Sequence, residues 1–118
     1  MKFTVPGSPK VLQRARMGRY GKWYDPSANE KKYIAGFALQ AMATARTDQI
    51  SGNLMACMTF YISDRRRKDL DNLIKSVMDA LNKLVYDDDS QIVRIIASKE
   101  VCEKNKDRTE VEIFPIKA

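Results

Sequence analysis

A chain of 118 residues is long enough for one compact domain with a modest core. Its 44% hydrophobic and 31% charged residues are those of a globular chain and do not suggest disorder, and a formal net charge of +6 points to a polyanionic partner, nucleic acid above all. Histidine is absent, which excludes Ser-His-Asp and Cys-His nucleophilic systems and every histidine-containing metal site, so acid–base or metal chemistry must rest on carboxylates and lysines.

In chain order, "KFTV" (2–5) reads as a short strand with Phe3 and Val5 on one face. The stretch 6–26, "PGSPKVLQRARMGRYGKWYDP", is too rich in Gly, Pro and Arg for a regular element, although part of it can be extended. Ser27 and Glu30 have capping-box spacing ahead of a helix whose apolar stripe is Ile34, Phe37, Ala38, Ala41 and Ala45. "NLMACMTFYIS" (53–63) is apolar on both alternating faces, which predicts an interior strand covered on both sides. Leu70, Leu73, Ile74, Val77, Leu81 and Leu84 recur at helical spacing, and 91–101 and 108–116 read as two further strands.

The order β-α-β-α-β-β predicts a single α/β or α+β domain over residues 1–118, with two main helices on a mixed sheet. Cys57 and Cys102 lie apart in apolar runs, which predicts reduced core thiols. No apolar run of about 18 residues and no signal-peptide h-region is present, so the expected location is cytoplasmic, without a membrane.

"DRRRKDLDNLIK" (64–75) raises the chemical question, because it sets Arg65, Arg66, Arg67 and Lys68 against Asp69 and Asp71. Residues two apart in a regular helix point roughly 200° away from each other. The two carboxylates converge only if Asp69 lies in an extended lead-in and the helix begins near Leu70 or Asp71. Asp71 then sits in the first turn, favoured by the helix dipole, with Lys75 at i+4. One reading is structural: an N-cap aspartate and a surface ion pair, of little energetic consequence. The other adds Asp87, Asp88 and Asp89 of "VYDDDSQIV", if that loop folds back across the sheet edge. Converging carboxylates make a hard oxygen site suited to Mg²⁺ or Mn²⁺. Such an ion reconciles acids with an approaching phosphate, polarises it and activates water, and Lys75 can stabilise developing charge. A calcium loop is excluded because "DDDSQIV" lacks the alternating ligands, central Gly and terminal Glu.

Lys10, Arg14, Arg16, Arg19 and Lys22 precede the next acidic residue, Asp25, and Tyr20, Trp23 and Tyr24 are interleaved with or close behind them. Cations neutralise phosphates and exposed rings stack on bases, whereas tucked rings form local core; for Trp23 and Tyr24 both readings stand. No recognition helix or zinc finger is evident, so backbone and shape readout is expected.

With these residues in view, the chain resembles the RusA-type Holliday junction resolvases, Mg²⁺-dependent endodeoxyribonucleases often found in prophages. The resemblance covers nearly the whole length and is strongest in "DRRRKDLDNLIKSVMDALNKLVYDDDSQIV" (64–93), which has the basic lead, the DLDN-Lys helix and the DDxQ loop. "PGSPKVLQRAR" followed by "YDP" resembles the family's N-terminal basic loop. The resemblance implies metal-binding catalytic aspartates at Asp69, Asp71 and Asp89, with Asp88 a further candidate ligand, and Lys75 as the essential lysine. It also implies a homodimer, whose two-fold symmetry suits paired nicks in a four-way junction. The DNA-contact candidates are Lys10, Arg14, Arg16, Arg19, Lys22, Arg65, Arg66, Arg67 and Lys68. The expected activity is hydrolysis of phosphodiesters in branched DNA, in recombination and repair. Flaps or forks as substrates, a non-catalytic branched-DNA-binding protein, and a basic adaptor are the alternatives.

Overall fold

The computed structural model describes residues 1–11, 16–24, 27–64 and 66–117. Arg14 and Arg65, and Asp25 and Pro26 of the "YDP" segment, lie outside them.

A four-stranded mixed sheet carries two helices on one face. Strands β1 (Lys2–Pro6), β4 (Leu54–Ile62), β5 (Ile92–Val101) and β6 (Arg108–Pro115) lie in the order β1-β6-β4-β5. β6 runs antiparallel to β1 and β4, and β4 and β5 run parallel, joined through α2 (Leu70–Leu81). α1 (Ala28–Ala45) packs beside α2 and over β1. The α+β class and the order of the main elements agree with the sequence reading. The basic loop adds a small antiparallel hairpin, β2 (Arg16–Met17) with β3 (Trp23–Tyr24), turned by Gly21 at φ 76°. Only glycine takes such a φ at no cost, which is why a Gly-rich segment could still pair.

The core lies between the helices and one face of the sheet. β4 alternates strictly: Leu54, Ala56, Met58, Phe60 and Ile62 are buried against Ile34 and Ala38 of α1 and Leu73, Val77 and Leu81 of α2. Burying a side chain such as Leu73 or Phe60 stabilises the fold by about 1.5–3 kcal/mol. The other face of β4, Met55, Cys57, Thr59 and Tyr61, is half-buried and carries no helix. The expected two-sided cover is therefore absent among the described residues, because both helices are drawn to a single face. Cys57 lies on that open face and Cys102 just beyond β5, so the free thiols are half-buried and not core.

Two local expectations also change. Ser27 occupies the α1 N-cap without a side-chain cap bond, its φ of −101° and ψ of 9° lying outside the extended conformation that capping requires, so no capping box forms. Ala45, the last residue of the α1 stripe, is exposed where Arg46 ends the helix in the left-handed region. Among the described residues, no helix is long and apolar enough to cross a membrane.

Candidate functional site

α2 begins at Leu70, and Asp69 stands at its N-cap in extended conformation, φ −76° and ψ 129°. Its carbonyl accepts from Leu73 N–H at 3.1 Å, but its carboxylate makes no cap bond and instead accepts from Arg67 Nε at 3.1 Å. Among the described residues, the Asp71 carboxylate accepts only from the neighbouring Asn72 N–H, at 3.0 Å. Among the described residues Asp71 and Lys75 form no ion pair, and both are exposed. Neither the cap nor the i,i+4 bridge of the structural reading is made. The two carboxylates remain open to solvent at a helix N-terminus.

The basic segment beside them is held in place. Ser63 N–H donates to Asp107 at 3.2 Å, and Arg66 N–H to Asp64 at 3.0 Å. Lys68 Nζ donates to Ser8 Oγ at 2.6 Å and to the Pro9 carbonyl at 2.7 Å, while Lys99 of β5 donates to the Lys68 carbonyl at 2.8 Å. Lys68 thus clamps the N-terminal loop onto the catalytic candidate segment, a role that sequence reasoning missed because the partners lie about 60 residues away. Arg66 and Arg67 stay exposed beside a shallow cleft of about 200 Å³ that reaches Lys99 and Glu100. Lys10 lies 4.0 Å from Glu30, and Arg19 and Lys22 are exposed on the hairpin. So are the rings: Tyr20 is 88%, Trp23 68% and Tyr24 49% exposed, which resolves their two readings toward the surface.

The second acidic segment is a capped turn. Asp88 caps the 3₁₀ turn Asp89–Gln91: its carboxylate accepts from Ser90 N–H at 3.3 Å and from the Ser90 hydroxyl. Those hydrogen bonds hold the Asp88 carboxyl below its ordinary value. Gln91 fixes the turn from the other side. Its Oε1 accepts from Asp87 N–H at 2.9 Å and Asp88 N–H at 3.1 Å, and its Nε2 donates to the carbonyls of Ile50 and Gly52, each at 3.0 Å. The "DDxQ" spacing carried that signal without revealing the role. Asp87 is 3.9 Å from Lys83, whereas the Asp89 carboxylate has no hydrogen bond or ion pair among the described residues.

The two acidic segments lie at opposite ends of the sheet. In a parallel β4–α2–β5 unit, the start of α2 follows the C-terminal end of β4 and the loop after α2 precedes the N-terminal end of β5. The nine residues of β4 span about 30 Å. Tyr86 marks the far end: its hydroxyl donates to the Met78 carbonyl at 3.0 Å, and burial raises its pKa, with Asp89, Asp79 and Asp88 adding negative charge nearby. Among the described residues, no group of three acidic or cysteine side chains is placed to hold a metal ion. The loop does not fold back to Asp71 within one chain, and a single chain does not fit an all-carboxylate Mg²⁺ site.

The family description "Endodeoxyribonuclease RusA" matches residues 6–114. The chain belongs to the RusA endodeoxyribonuclease family. It is 34% identical to "Uncharacterized protein YqaN" of Bacillus subtilis (strain 168) over an aligned 141 residues, covering 100% of this chain and 98% of that protein. It is also 54% identical over 51 residues to "Crossover junction endodeoxyribonuclease rusA" of Lactococcus phage r1t, covering 42% of this chain and 37% of that one. Membership in a RusA endodeoxyribonuclease family supports nuclease activity and a branched-DNA substrate class.

Proposed function

We propose that this RusA-family chain is a divalent-metal-dependent, structure-selective endonuclease that resolves four-way junctions by hydrolysing one phosphodiester in each of two strands. The observation that carries the reading is the pair Asp69 and Asp71, two solvent-facing carboxylates bounded by Arg66, Arg67 and Lys75. Carboxylates needed only for folding would cap α2 or pair with Lys75, and these do neither.

Asp69 and Asp71 would hold the ion at the start of α2, and Asp89, at the other end of the same chain's sheet, would join them only from a second copy in the homodimer; Mg²⁺ is the assigned ion with Mn²⁺ as a substitute, since hard oxygen donors suit both. Such an ion, when bound, supplies charge stabilisation at phosphate and a more acidic water. Asp88 is reassigned to holding the turn, since its carboxylate is occupied by Ser90. Lys75, exposed on the first turns of α2, supplies positive charge to the reacting phosphate.

Arg66, Arg67, Arg19 and Lys22 contact flanking phosphates, with Lys10, Arg14, Arg16 and Arg65 assigned to the same surface and Lys68 supporting it. Exposed Tyr20, Trp23 and Tyr24 offer stacking faces where a junction unpairs bases. A homodimer acting inside the cell on chromosomal or phage DNA completes the proposal, with residues 1–118 as one endonuclease domain.

The test incubates the protein with a labelled four-way junction, a flap, a fork and a linear duplex, in Mg²⁺ or EDTA. Paired nicks in the junction, dependent on Mg²⁺ and outcompeting the other substrates, are the expected result. Junction binding with no cutting in either Mg²⁺ or Mn²⁺ would make the protein a non-catalytic DNA-binding member of its family.

A further inference from the structure

We propose that Lys99, on β5, is a positioning residue for Asp69: its ammonium holds the peptide group that leads into Asp69 and so fixes where that carboxylate points. The consequence for cleavage rests on the nuclease reading above; the positioning itself does not.

The Asp69 carboxylate has little to orient it locally. Residues 63–69, between β4 and α2, include no regular element among the described residues. The bond that its carboxylate accepts comes from Arg67, and the two side chains are 51% and 90% exposed. A pair so open to water is screened and contributes little order. The direction of the carboxylate therefore depends on the backbone at Asp69.

That backbone is held on both sides. Peptide groups are planar, so a residue turns only about φ and ψ between two rigid planes. The plane after Asp69 is fixed by its carbonyl, which accepts from Leu73 N–H at 3.1 Å in the first turn of α2. The plane before it carries the Lys68 carbonyl, which accepts from Lys99 Nζ at 2.8 Å. With both planes held, Asp69 is set at φ −76° and ψ 129°, and the direction of its Cα–Cβ bond follows. Lys68 is anchored once more, through its Nζ, to Ser8 Oγ and the Pro9 carbonyl.

Register places Lys99 for this role. In the parallel β4–β5 pair it stands beside Phe60, which is buried under the helices. Lys99 therefore shares the helix-bearing face, at the end of the sheet from which α2 starts. Ser98 and Glu100 stand beside Thr59 and Tyr61 and face the other way. An ammonium donating to a carbonyl makes a hydrogen bond of the stronger, charge-assisted class. Among the described residues Lys99 pairs with no carboxylate.

Lys99 also lines the cleft beside Arg66 and Arg67, where a plain phosphate contact is the competing role. The two roles move different quantities. A phosphate contact contributes to affinity and its salt dependence. A positioning bond contributes to rate and metal binding and leaves affinity alone.

The test compares wild type, Lys99→Met and Lys99→Arg on a labelled four-way junction. Mn²⁺ binding is read by electron paramagnetic resonance, and amide exchange is followed at Leu73. Lys99→Met should cleave about 10–100-fold more slowly in single turnover and bind Mn²⁺ more weakly. Its junction affinity, salt dependence and melting temperature should match wild type, while Leu73 N–H exchanges faster. Lys99→Arg keeps a charged donor and should restore rate, Mn²⁺ affinity and protection at Leu73. A Lys99→Met protein that instead loses affinity and salt dependence would make Lys99 a phosphate contact and overturn the proposal. So would one that matches wild type in cleavage, Mn²⁺ binding and exchange. If wild type itself never nicks, the nuclease reading fails alone, and Leu73 exchange in Lys99→Met still decides the positioning: faster supports it, unchanged overturns it.

Discussion

The Asp88 carboxylate accepts from both the N–H and the hydroxyl of Ser90. The carboxylate of its neighbour Asp89 accepts from nothing among the described residues. That contrast distinguishes two adjacent aspartates that the motif alone leaves equivalent. Asp89→Asn should abolish cleavage without changing the melting temperature. Asp88→Asn should leave partial cleavage and loosen the turn, seen as faster amide exchange at Ser90.

The same contact has a pH consequence. Ser90 holds the folded Asp88 carboxyl below its ordinary value of 3.8, so its contribution is fully present above that pH. It is lost as the pH falls below 3.8 and through the lowered folded value. Amide exchange at Ser90, followed on acidification, should show protection in wild type persisting to lower pH than the ordinary aspartate titration and then collapsing. In Asp88→Asn the turn should lack this acid transition.

Gln91 joins the acidic turn to the segment before β4 through four hydrogen bonds. Gln91→Leu removes all four, and by comparison with outer-shell residues of metal sites should cost about 10–100-fold in cleavage rate. Junction affinity should change little, because Gln91 faces the loop and not the basic surface. Single-turnover cleavage beside a gel-retardation titration separates the two effects.

The hairpin rings should act in binding alone. Trp23→Ala should weaken junction affinity by about 1–3 kcal/mol if the ring stacks on a base. Its melting temperature should stay put, since the side chain is 68% exposed. Arg66→Ala should weaken binding and lower the dependence of log affinity on log salt by about one unit for each lost phosphate contact. By contrast, Leu73→Ala empties a fully buried position and should cost about 2–5 kcal/mol of folding stability.

The sequence made much of this legible. The helical spacing of Leu73, Val77 and Leu81 located α2, and convergence of Asp69 with Asp71 called for a helix starting near Leu70 or Asp71; it starts at Leu70. The open face of β4 was misread because Met55 and Cys57 are as apolar as core residues; alternation cannot distinguish a face that is covered from one awaiting cover. The hairpin at 16–24 was hidden by glycines that serve as well in loops as in turns.

The distance between the acidic segments has a signal in the sequence. A twelve-residue helix between two strands is the connection of a parallel pair. That topology puts whatever precedes the helix and whatever follows it at opposite ends. The partners of Lys68 and Gln91 had no such signal, since Ser8, Pro9, Ile50 and Gly52 approach them only through tertiary packing.

Asp71 offers its carboxylate to solvent at the start of α2. The most direct measurement compares wild type with Asp71→Asn on one labelled four-way junction in Mg²⁺, recording cleavage, affinity and melting temperature together. Cleavage lost with affinity and melting temperature retained is the predicted result. Cleavage retained, or a loss that follows a lowered melting temperature, would contradict the account and return Asp71 to a structural role.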